Sequence, residues 1–332
     1  MSCTTQFHFL TYNCHLFWKG LPIGPLFYDE DRRQAISRAL ESSQVDSVNI
    51  AALQEVWYSE FAHEINKHSK EYGAYSHWYV PEDEHHVLNP PGLMLLGDSN
   101  CTFTHAGWES YKHACGYTGW SLQDDPVFKG RIDATCQFKC SDDSLHTIGL
   151  FTTHMPVGYG TYTTQVKCSF QYLANTIQDW RAANPGCAVI LLGDLNIDYF
   201  SQSLLPDGHT EYYDAVGSQG ILGATAGLLD AGALAPTDPG FTINPELNTT
   251  WQVFNDLYTP PFPANQRIDY FMYANSINSS TPGVPTMSVD VTAISAIMDG
   301  LTVQEDVGGE MKVFNCSDHY PLEVSATITI ND

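Results

Sequence analysis

Residues 188–196 read AVILLGDLN, an apolar run that gives way at once to polar residues. The run 188–193 has the length and composition of a buried strand, and the segment before it, 162–181, has apolar residues at helical spacing. Asp194 and Asn196 therefore come directly after a buried strand. Residues in such a position are carried on a rigid sheet, where catalytic groups concentrate.

The same change from apolar to polar occurs at several other places in the chain. A turn or ordinary packing explains any one of them. Together they predict one shared site built from the ends of strands. The residues concerned are Asn13, Glu55, His154, Asp194 with Asn196, Asp269, and Asp318 with His319.

Strand patterns outnumber helical ones, and the helices come between strands. This order predicts an α+β fold in which sheet lies on sheet with helices outside, built as one domain over residues 1–332. Residues 201–265 are rich in Gly, Pro, Asn and Thr, which predicts loops with a short helix near 211–217. The predicted strands are 6–14, 47–54, 92–96, 130–139, 145–153, 188–193, 267–273 and 320–330, and the other predicted helix is 30–42.

Composition excludes several classes of protein. The 332 residues are 43% hydrophobic, enough for a packed core, and contain no apolar run long enough to span a membrane. With 14 Lys and Arg against 38 Asp and Glu, the net charge is −24. Such a charge disfavours sequence-independent attraction to nucleic acid. It remains compatible with a phosphate substrate held by a metal ion.

Nine cysteines are present, without the Cys-x-x-Cys spacing of a zinc finger. Cys136 and Cys140 are close enough in sequence to bridge, but we interpret them as ordinary strand residues. The first residues, MSCTTQFHFLTYN, lack a basic segment followed by an apolar one. We expect a secreted protein whose signal has been removed, with a cytoplasmic protein as the alternative.

The polar residues at the strand ends favour one kind of chemistry. Carboxylate and amide oxygens are hard ligands, suited to Mg²⁺, Mn²⁺ or Ca²⁺. His154 and His319 can contact a phosphoryl oxygen or accept a proton from water. A divalent ion with two histidines and carboxylates is suited to hydrolysis of a phosphate ester.

Six short motifs, taken in order, resemble the endonuclease/exonuclease/phosphatase superfamily with its DNase I-like fold. This resemblance spans nearly the whole chain and implies a four-layered α/β/β/α sandwich. The motifs are YNC (12–14), LQEV (53–56), TTH (152–154), GDLN (193–196), RIDYF (267–271) and SDHYPL (317–322).

The resemblance also implies a metal centre. Asn13 and Glu55 would hold the principal divalent ion, and Asp318 would lie close to it. Mg²⁺ is the expected ion, with Mn²⁺ or Ca²⁺ as alternatives, and a second ion is left open.

The remaining residues of the motifs receive catalytic roles from the same resemblance. His154 would bind a phosphoryl oxygen, while Asp194 and Asn196 would position the attacking water and the scissile phosphate. His319 would act as general base or charge stabiliser, oriented by Asp269.

Within the superfamily the chain is most similar to neutral sphingomyelinases, the sphingomyelinase C group. The similar segments are YNCHLFWKGLPIGP (12–25), the pair Asp124-Asp125 before Lys129-Gly130, and TTWQVFN (249–255). They imply hydrolysis of sphingomyelin, or a related choline phospholipid, to ceramide and phosphocholine. Lys129, Asp124 and Trp57 are the candidate substrate contacts. Lys129 either clamps a phosphate or pairs with Asp124, and Trp57 either faces choline through a cation–π contact or packs in the core or its rim. The expected partner is a phospholipid at a membrane surface or micelle, without nucleic acid, and the protein is expected to be a monomer.

Some segments depart from that group or stay open. The group's His-x-Gln is His154-Met155-Pro156 here, and the segment that matches a membrane-inserting hairpin, 293–314, has no Trp. Within it Ile297, Met298 and Leu301 form either a weak apolar tip or part of the core. His85-His86 is interpreted as part of a solvated loop. A DNase I-like nuclease, a phosphoinositide-type phosphatase and a catalytically inactive binding module remain alternatives.

Overall fold

The first strand, β1 (Ser2–Leu16), shows how alternating side chains build two separate cores. Phe7 and Phe9 enter the core between the two large sheets, while Leu10 and Tyr12 enter a core on the opposite face. Successive side chains of a strand point to opposite faces. A strand that is apolar on both faces is therefore covered on both sides.

The computed structural model describes residues 2–16, 29–41, 48–57, 59–71, 75–81, 91–116, 129–140, 142–157, 164–237, 239–250, 265–277, 284–297, 301–307 and 309–331. The further strands are β2 (Ile50–Val56), β3 (His77–Tyr79), β4 (Met94–Gly97), β5 (Cys101–Ser110), β6 (Gly130–Lys139), β7 (Leu145–His154), β8 (Val189–Asp194), β9 (Leu229–Asp230), β10 (Asp269–Ala274), β11 (Thr286–Ala296), β12 (Thr302–Val307), β13 (Glu310–Asn315) and β14 (Leu322–Asn331). The helices are α1 (Asp29–Glu41), α2 (Ser59–Glu71), α3 (Tyr111–Cys115), α4 (Thr164–Ala183), α5 (Glu211–Ala215) and α6 (Ala231–Leu234), with a π-helical turn at Ile221–Thr225.

Twelve of these strands form two six-stranded sheets, with the orders β11-β14-β1-β2-β4-β3 and β5-β6-β7-β8-β10-β9. Each sheet contains one parallel pair near its centre, β1 with β2 and β7 with β8. The other pairs are antiparallel, and β12 with β13 forms a separate hairpin. The carboxyl ends of the two parallel pairs carry Asn13, Glu55, His154 and Asp194, while Asp269 begins β10 and His319 lies shortly before β14.

Three hydrophobic cores separate four layers. One core fills the space between the sheets. Helices α1 and α2 cover the outer face of the first sheet, where Ile36 and Ile65 pack with Leu53. Helix α4 covers the outer face of the second sheet through the predicted stripe that includes Phe170 and Ile177. The predicted α+β, α/β/β/α sandwich is confirmed.

Several elements were not predicted. β5, β11 and the β12–β13 hairpin have mixed burial, because each has at least one face partly open to solvent, so their apolar pattern is weak. Ile297 and Leu301 are partly buried against the core beneath α1, which supports core packing rather than an apolar tip. Met298 and His85-His86 lie outside the described residues. Among the described helices none is long and apolar enough to cross a membrane.

The structure joins Cys3 to Cys140 and Cys115 to Cys168 as disulfides, with Cα–Cα distances of 6.3 and 5.7 Å. Cys136 is a buried free thiol, as interpreted from the sequence. The interpretation of Cys140 as an ordinary strand residue is wrong. Its partner is 137 residues away in sequence, on the other sheet, so no local spacing reveals the bond.

Candidate active site

The site lies where the two parallel strand pairs end. His154 pairs in register with Asp194 across β7 and β8, and Asp194 pairs with Asp269 across β8 and β10. On the first sheet, Asn13 pairs with Gln54, the residue before Glu55. Because these strand ends of the two sheets lie next to one another, residues from distant parts of the sequence meet there.

Asp194 connects the two sheets at the centre of this site. Its Oδ2 accepts a hydrogen bond from Asn13 Nδ2 at 3.0 Å, and its Oδ1 accepts one from the main-chain N–H of Asn196 at 2.8 Å. Asn196 adopts a left-handed φ of 52° and donates through Nδ2 to the Met155 carbonyl at 2.7 Å. Asp194 is thus fixed in one orientation from both sides.

Gly193 lets β8 approach β7 closely just before Asp194. Its φ is 149°, and a Cβ at this position would collide with the carbonyl of Thr153. Glycine is therefore required here, because any side chain would push the two strands apart. The pairing of His154 with Asp194 depends on that approach.

Glu55 reaches the site through a strained backbone. Leu53 faces the core beneath the helices, so alternation alone would point Glu55 the same way. Its φ of 55° instead turns the side chain toward the other sheet, where Oε1 lies 3.6 Å from His154 Nε2 and 3.8 Å from Lys129 Nζ. Such strain is held by surrounding structure and clusters at functional sites.

His319 and Asp269 form a buried pair. His319 Nδ1 donates to Asp269 Oδ2 at 2.8 Å, and His319 Nε2 lies 3.9 Å from Asp194 Oδ2. The main-chain N–H of His319 donates to Ser317 Oγ, which itself donates to the Asn13 carbonyl at 2.6 Å. The imidazole therefore directs Nε2 toward the centre of the site.

The segment that carries Asp269 is fixed by a buried ion pair. Arg267 donates to both carboxylate oxygens of Asp230, at 3.1 and 2.9 Å. Its guanidinium also lies 4.1 Å from the ring centroid of Tyr199. A planar guanidinium suits this combination of two parallel hydrogen bonds and ring stacking.

Lys129 and Trp57 lie beside His154. Lys129 Nζ contacts the His154 ring and lies 5.7 Å from the ring centroid of Trp57. The Trp57 and His154 rings are 6.2 Å apart. The ammonium group of Lys129 therefore lies near the Trp57 ring.

Sequence reasoning missed His15, whose Nδ1 lies 3.2 Å from Glu55 Oε2 and 3.4 Å from Asp318 Oδ1. It also missed Arg32 of α1, which donates to the carbonyls of Cys14 and His15. His15 comes two residues after Asn13, and that spacing puts both on one face of a strand. This signal could have identified it. Nothing in the local pattern of α1 marks Arg32.

The structure therefore brings ten of the predicted site residues into one neighbourhood. Asp124 lies outside the described residues. The ten are Asn13, Glu55, Trp57, Lys129, His154, Asp194, Asn196, Asp269, Asp318 and His319.

Electrostatics keep the central carboxylates ionised. Burial would raise the pKa of Glu55, but His15, Lys129 and His154 lower it well below its usual range. Burial also opposes ionisation of Asp194, and the charge and hydrogen bond of His154 bring its pKa down. Burial lowers the pKa of both Lys129 and His154.

The His319 pair behaves in the opposite way. Burial would lower the pKa of His319, but Asp269, Asp318 and Asp194 raise it to about 10. Burial raises the pKa of Asp269, against the effect of His319. The imidazole is therefore positively charged at neutral pH in the metal-free protein.

The donor set suits a hard divalent ion. Glu55, Asp318 and Asn13 offer carboxylate and amide oxygens, the ligands that Mg²⁺ and Mn²⁺ prefer. Asp194, Asp269 and His319 also present ligand atoms that all lie within 4.8 Å of one another. The carboxylates of Glu55 and Asp194 are already deprotonated, as metal binding requires.

A layered sandwich with this site has the architecture of a phosphoric ester hydrolase of the DNase I-like superfamily. Residues 10–319 match the endonuclease/exonuclease/phosphatase family, and the chain belongs to this family. No curated protein matches the sequence.

Three solved structures illustrate the likeness. Sphingomyelinase C from Streptomyces griseocarneus is 17% identical, with a TM-score of 0.61 over 97% of this chain and 99% of that chain. A beta toxin variant from Staphylococcus aureus with bound magnesium ions is 12% identical, with a TM-score of 0.63 over 96% and 99%. D. rerio TDP2, complexed with single-strand DNA product, is 16% identical, with a TM-score of 0.58 over 97% and 99%. At these identities the likeness shows the fold alone.

Proposed function

We propose that the chain is a divalent-metal-dependent phosphodiesterase that hydrolyses sphingomyelin, or a related choline phospholipid, to ceramide and phosphocholine. The observation that carries this proposal is the charge of the site. In the described part of the chain, one Lys or Arg side chain approaches a carboxylate of the site. It is Lys129, which lies near Glu55. One such cation suits a phosphodiester with a single negative charge better than a polyphosphate.

The residues divide the work as follows. Glu55, Asp318 and Asn13 would hold the divalent ion, which would offset charge on the phosphoryl group. Lys129 and His154 lie side by side and contact the phosphoryl oxygens. The Trp57 ring lies next to them, 6.2 Å from the His154 ring, where it can face the choline group.

His319 manages the proton at Nε2. Asp269 fixes the ring through Nδ1, so Nε2 faces Asp194 and the space where water attacks. When no positive charge offsets Asp194 and Asp318, the His319 imidazole keeps its proton and stabilises negative charge. Offset of the charges of Asp194 and Asp318 by a bound divalent ion would lower the pKa of His319, and Nε2 would then accept the proton of the attacking water. Asn196, held by Asp194, helps to position that water.

The two disulfides bear on the compartment in which the protein works. We propose a monomer that is secreted and acts on phospholipid at a membrane surface or micelle. The two disulfides support an oxidising compartment, since cytosolic proteins rarely keep such bonds. Cells of the native host that express the gene should release the protein into the medium, and its retention as reduced intracellular protein would contradict this part.

A nuclease of the same fold is the second candidate, because the similar TDP2 structure holds a single-strand DNA product. The net charge of −24 argues against it, since binding to the phosphate backbone depends on Lys and Arg. A phosphatase for polyphosphates would need additional cations around Lys129.

The test is phosphocholine release from sphingomyelin in detergent micelles, with Mg²⁺, with EDTA, and with His319→Ala. We expect release that requires the ion and is lost in the variant. His146→Ala, on the same strand as His154 but outside the site, is the control and should keep full activity. Cleavage of DNA or another phosphodiester in place of sphingomyelin would refute the lipid assignment. Inactivity on every phosphodiester would refute catalysis and favour the binding module.

A further inference from the structure

His15 occupies an unusual position between two carboxylates. Its Nδ1 lies 3.2 Å from Glu55 Oε2 and 3.4 Å from Asp318 Oδ1. The three side chains are 15%, 12% and 9% exposed, so solvent reaches them only partly. They come from the end of β1, the end of β2 and the segment before β14, and they converge at one edge of the first sheet.

The backbone holds His15 in this position against its own preference. Its φ is 47°, a left-handed conformation that costs a residue of this type free energy. The neighbouring Glu55 is strained in the same way, at 55°. The strands β1 and β2 change register between Asn13 and Leu16, which forms a bulge at His15. Bulges next to active sites commonly re-aim a side chain.

Neighbouring groups fix the main chain of His15 at both ends. Its N–H donates to Asn13 Oδ1 at 3.1 Å, and its carbonyl accepts from Arg32 at 2.8 Å. Arg32 also donates to the Cys14 carbonyl at 3.0 Å and to the carbonyl of Cys316, at 2.6 Å, shortly before Asp318. One buried guanidinium thus ties the segment of His15 to the segment of Asp318.

Two separations, from His15 to each carboxylate, are close to those of neighbouring ligands around one ion. Two donors at right angles, each about 2.1 Å from an ion, are about 3.0 Å apart. The distances of 3.2 and 3.4 Å from Nδ1 to the carboxylate oxygens are close to that value.

We infer that His15 Nδ1 is a direct ligand of the divalent ion, together with Glu55 and Asp318. This inference rests on the metal centre of the proposed function but not on its substrate. It also has a consequence for the choice of ion. An imidazole nitrogen favours Mn²⁺, Co²⁺ and Zn²⁺, whereas Mg²⁺ and Ca²⁺ prefer oxygen ligands. His15 therefore shifts the preference of the protein from Mg²⁺ toward Mn²⁺.

The variant that tests this is His15→Asn. Asparagine tolerates the left-handed conformation, so the bulge can persist while the imidazole is lost. His105→Asn is a matched control, because His105 also has a left-handed φ, 54°, and is exposed on β5, away from the site. Circular dichroism and thermal unfolding confirm that both variants fold.

Two measurements on the EDTA-treated and dialysed full chain use metal ions alone. Pulsed electron paramagnetic resonance of bound Mn²⁺ detects coupling to a directly bonded nitrogen. Competitive titration gives the affinities for Mn²⁺ and Mg²⁺. We expect nitrogen coupling in the wild type and in His105→Asn. In His15→Asn the coupling should be lost, with Mn²⁺ affinity reduced about tenfold or more and Mg²⁺ affinity much less affected.

Nitrogen coupling that is absent from the wild type, or that persists in His15→Asn, would overturn the inference. An unchanged ratio of Mn²⁺ to Mg²⁺ affinity in the variant would overturn it too, as would failure of the wild type to bind Mn²⁺. These outcomes are separate from the test of function. The coupling can be found in a protein that releases no phosphocholine, and phosphocholine release can occur at a site without a nitrogen ligand.

Discussion

Asp269→Asn removes the charge that orients His319 while keeping the size of the side chain. The Asp269 carboxylate accepts from His319 Nδ1 at 2.8 Å, and both residues are buried. A hydrogen bond between charged groups contributes about 1.5–3 kcal/mol. If the transition state depends on the full amount, kcat falls about 10- to 160-fold, since about 1.4 kcal/mol corresponds to a factor of ten. The pH dependence should change as well, because the carboxylate raises the pKa of His319.

Initial rates at saturating substrate, with Mg²⁺ and across pH, measure both effects. We expect a lower kcat, with KM changed less, and the limb of the profile that reports His319 shifted to lower pH. Asp290→Asn, on the exposed face of β11, is the control and should behave as the wild type. A kcat for Asp269→Asn within about twofold of wild type, with an unshifted profile, would refute the assigned orienting role.

Three further predictions concern stability. Gly193→Ala should destabilise the protein by more than about 2 kcal/mol in urea unfolding, because of the left-handed φ and the collision with β7. Gly208→Ala is the control: a Cβ there meets open space, so it should cost only about 1 kcal/mol. Equal losses of stability in the two variants would contradict the argument. Arg267→Met leaves the Asp230 carboxylate buried without its ion pair and should cost about 3–5 kcal/mol, and a fully stable variant would show that the pair contributes little. In EDTA, the pKa of His319 lies at about 10, above its unfolded value of about 6.5, so its contribution to stability is complete below about pH 6.5 and is lost as pH rises through about 10. The free energy of unfolding should therefore decline between pH 7 and 10, and His319→Gln should flatten that slope, whereas parallel curves would rule out His319 as its source.

Much of the fold and part of the site follow from local patterns. Asp194 and His154 end apolar strands, and strands of that kind form the parallel pairs of a layered sandwich, so their meeting could be predicted. The β12–β13 hairpin could not be predicted, because its exposed residues, such as Met311, carry no regular pattern of burial.

The details that complete the site depend on tertiary context. Alternation would place Glu55 on the wrong face of β2, and a left-handed turn corrects it. The same kind of backbone occurs at His15, where β1 forms a bulge that no sequence pattern indicates. Arg32 acts through carbonyl groups of residues far away in sequence, and main-chain acceptors leave no trace in side-chain identity.

Strand β1 lies between β2, its parallel neighbour, and β14, which pairs with it from Ser2 with Asn331 to Thr11 with Leu322. The contact of Ser317 with the Asn13 carbonyl spans 304 residues of sequence. On the ribosome, β2 emerges soon after β1, but β14 emerges only after about 300 further residues. Until then one edge of β1 is open to other strands, a hazard that chaperones limit. The nascent chain also lacks Asp318 and His319 until about 300 residues after β1 have been translated, so the site is incomplete until then.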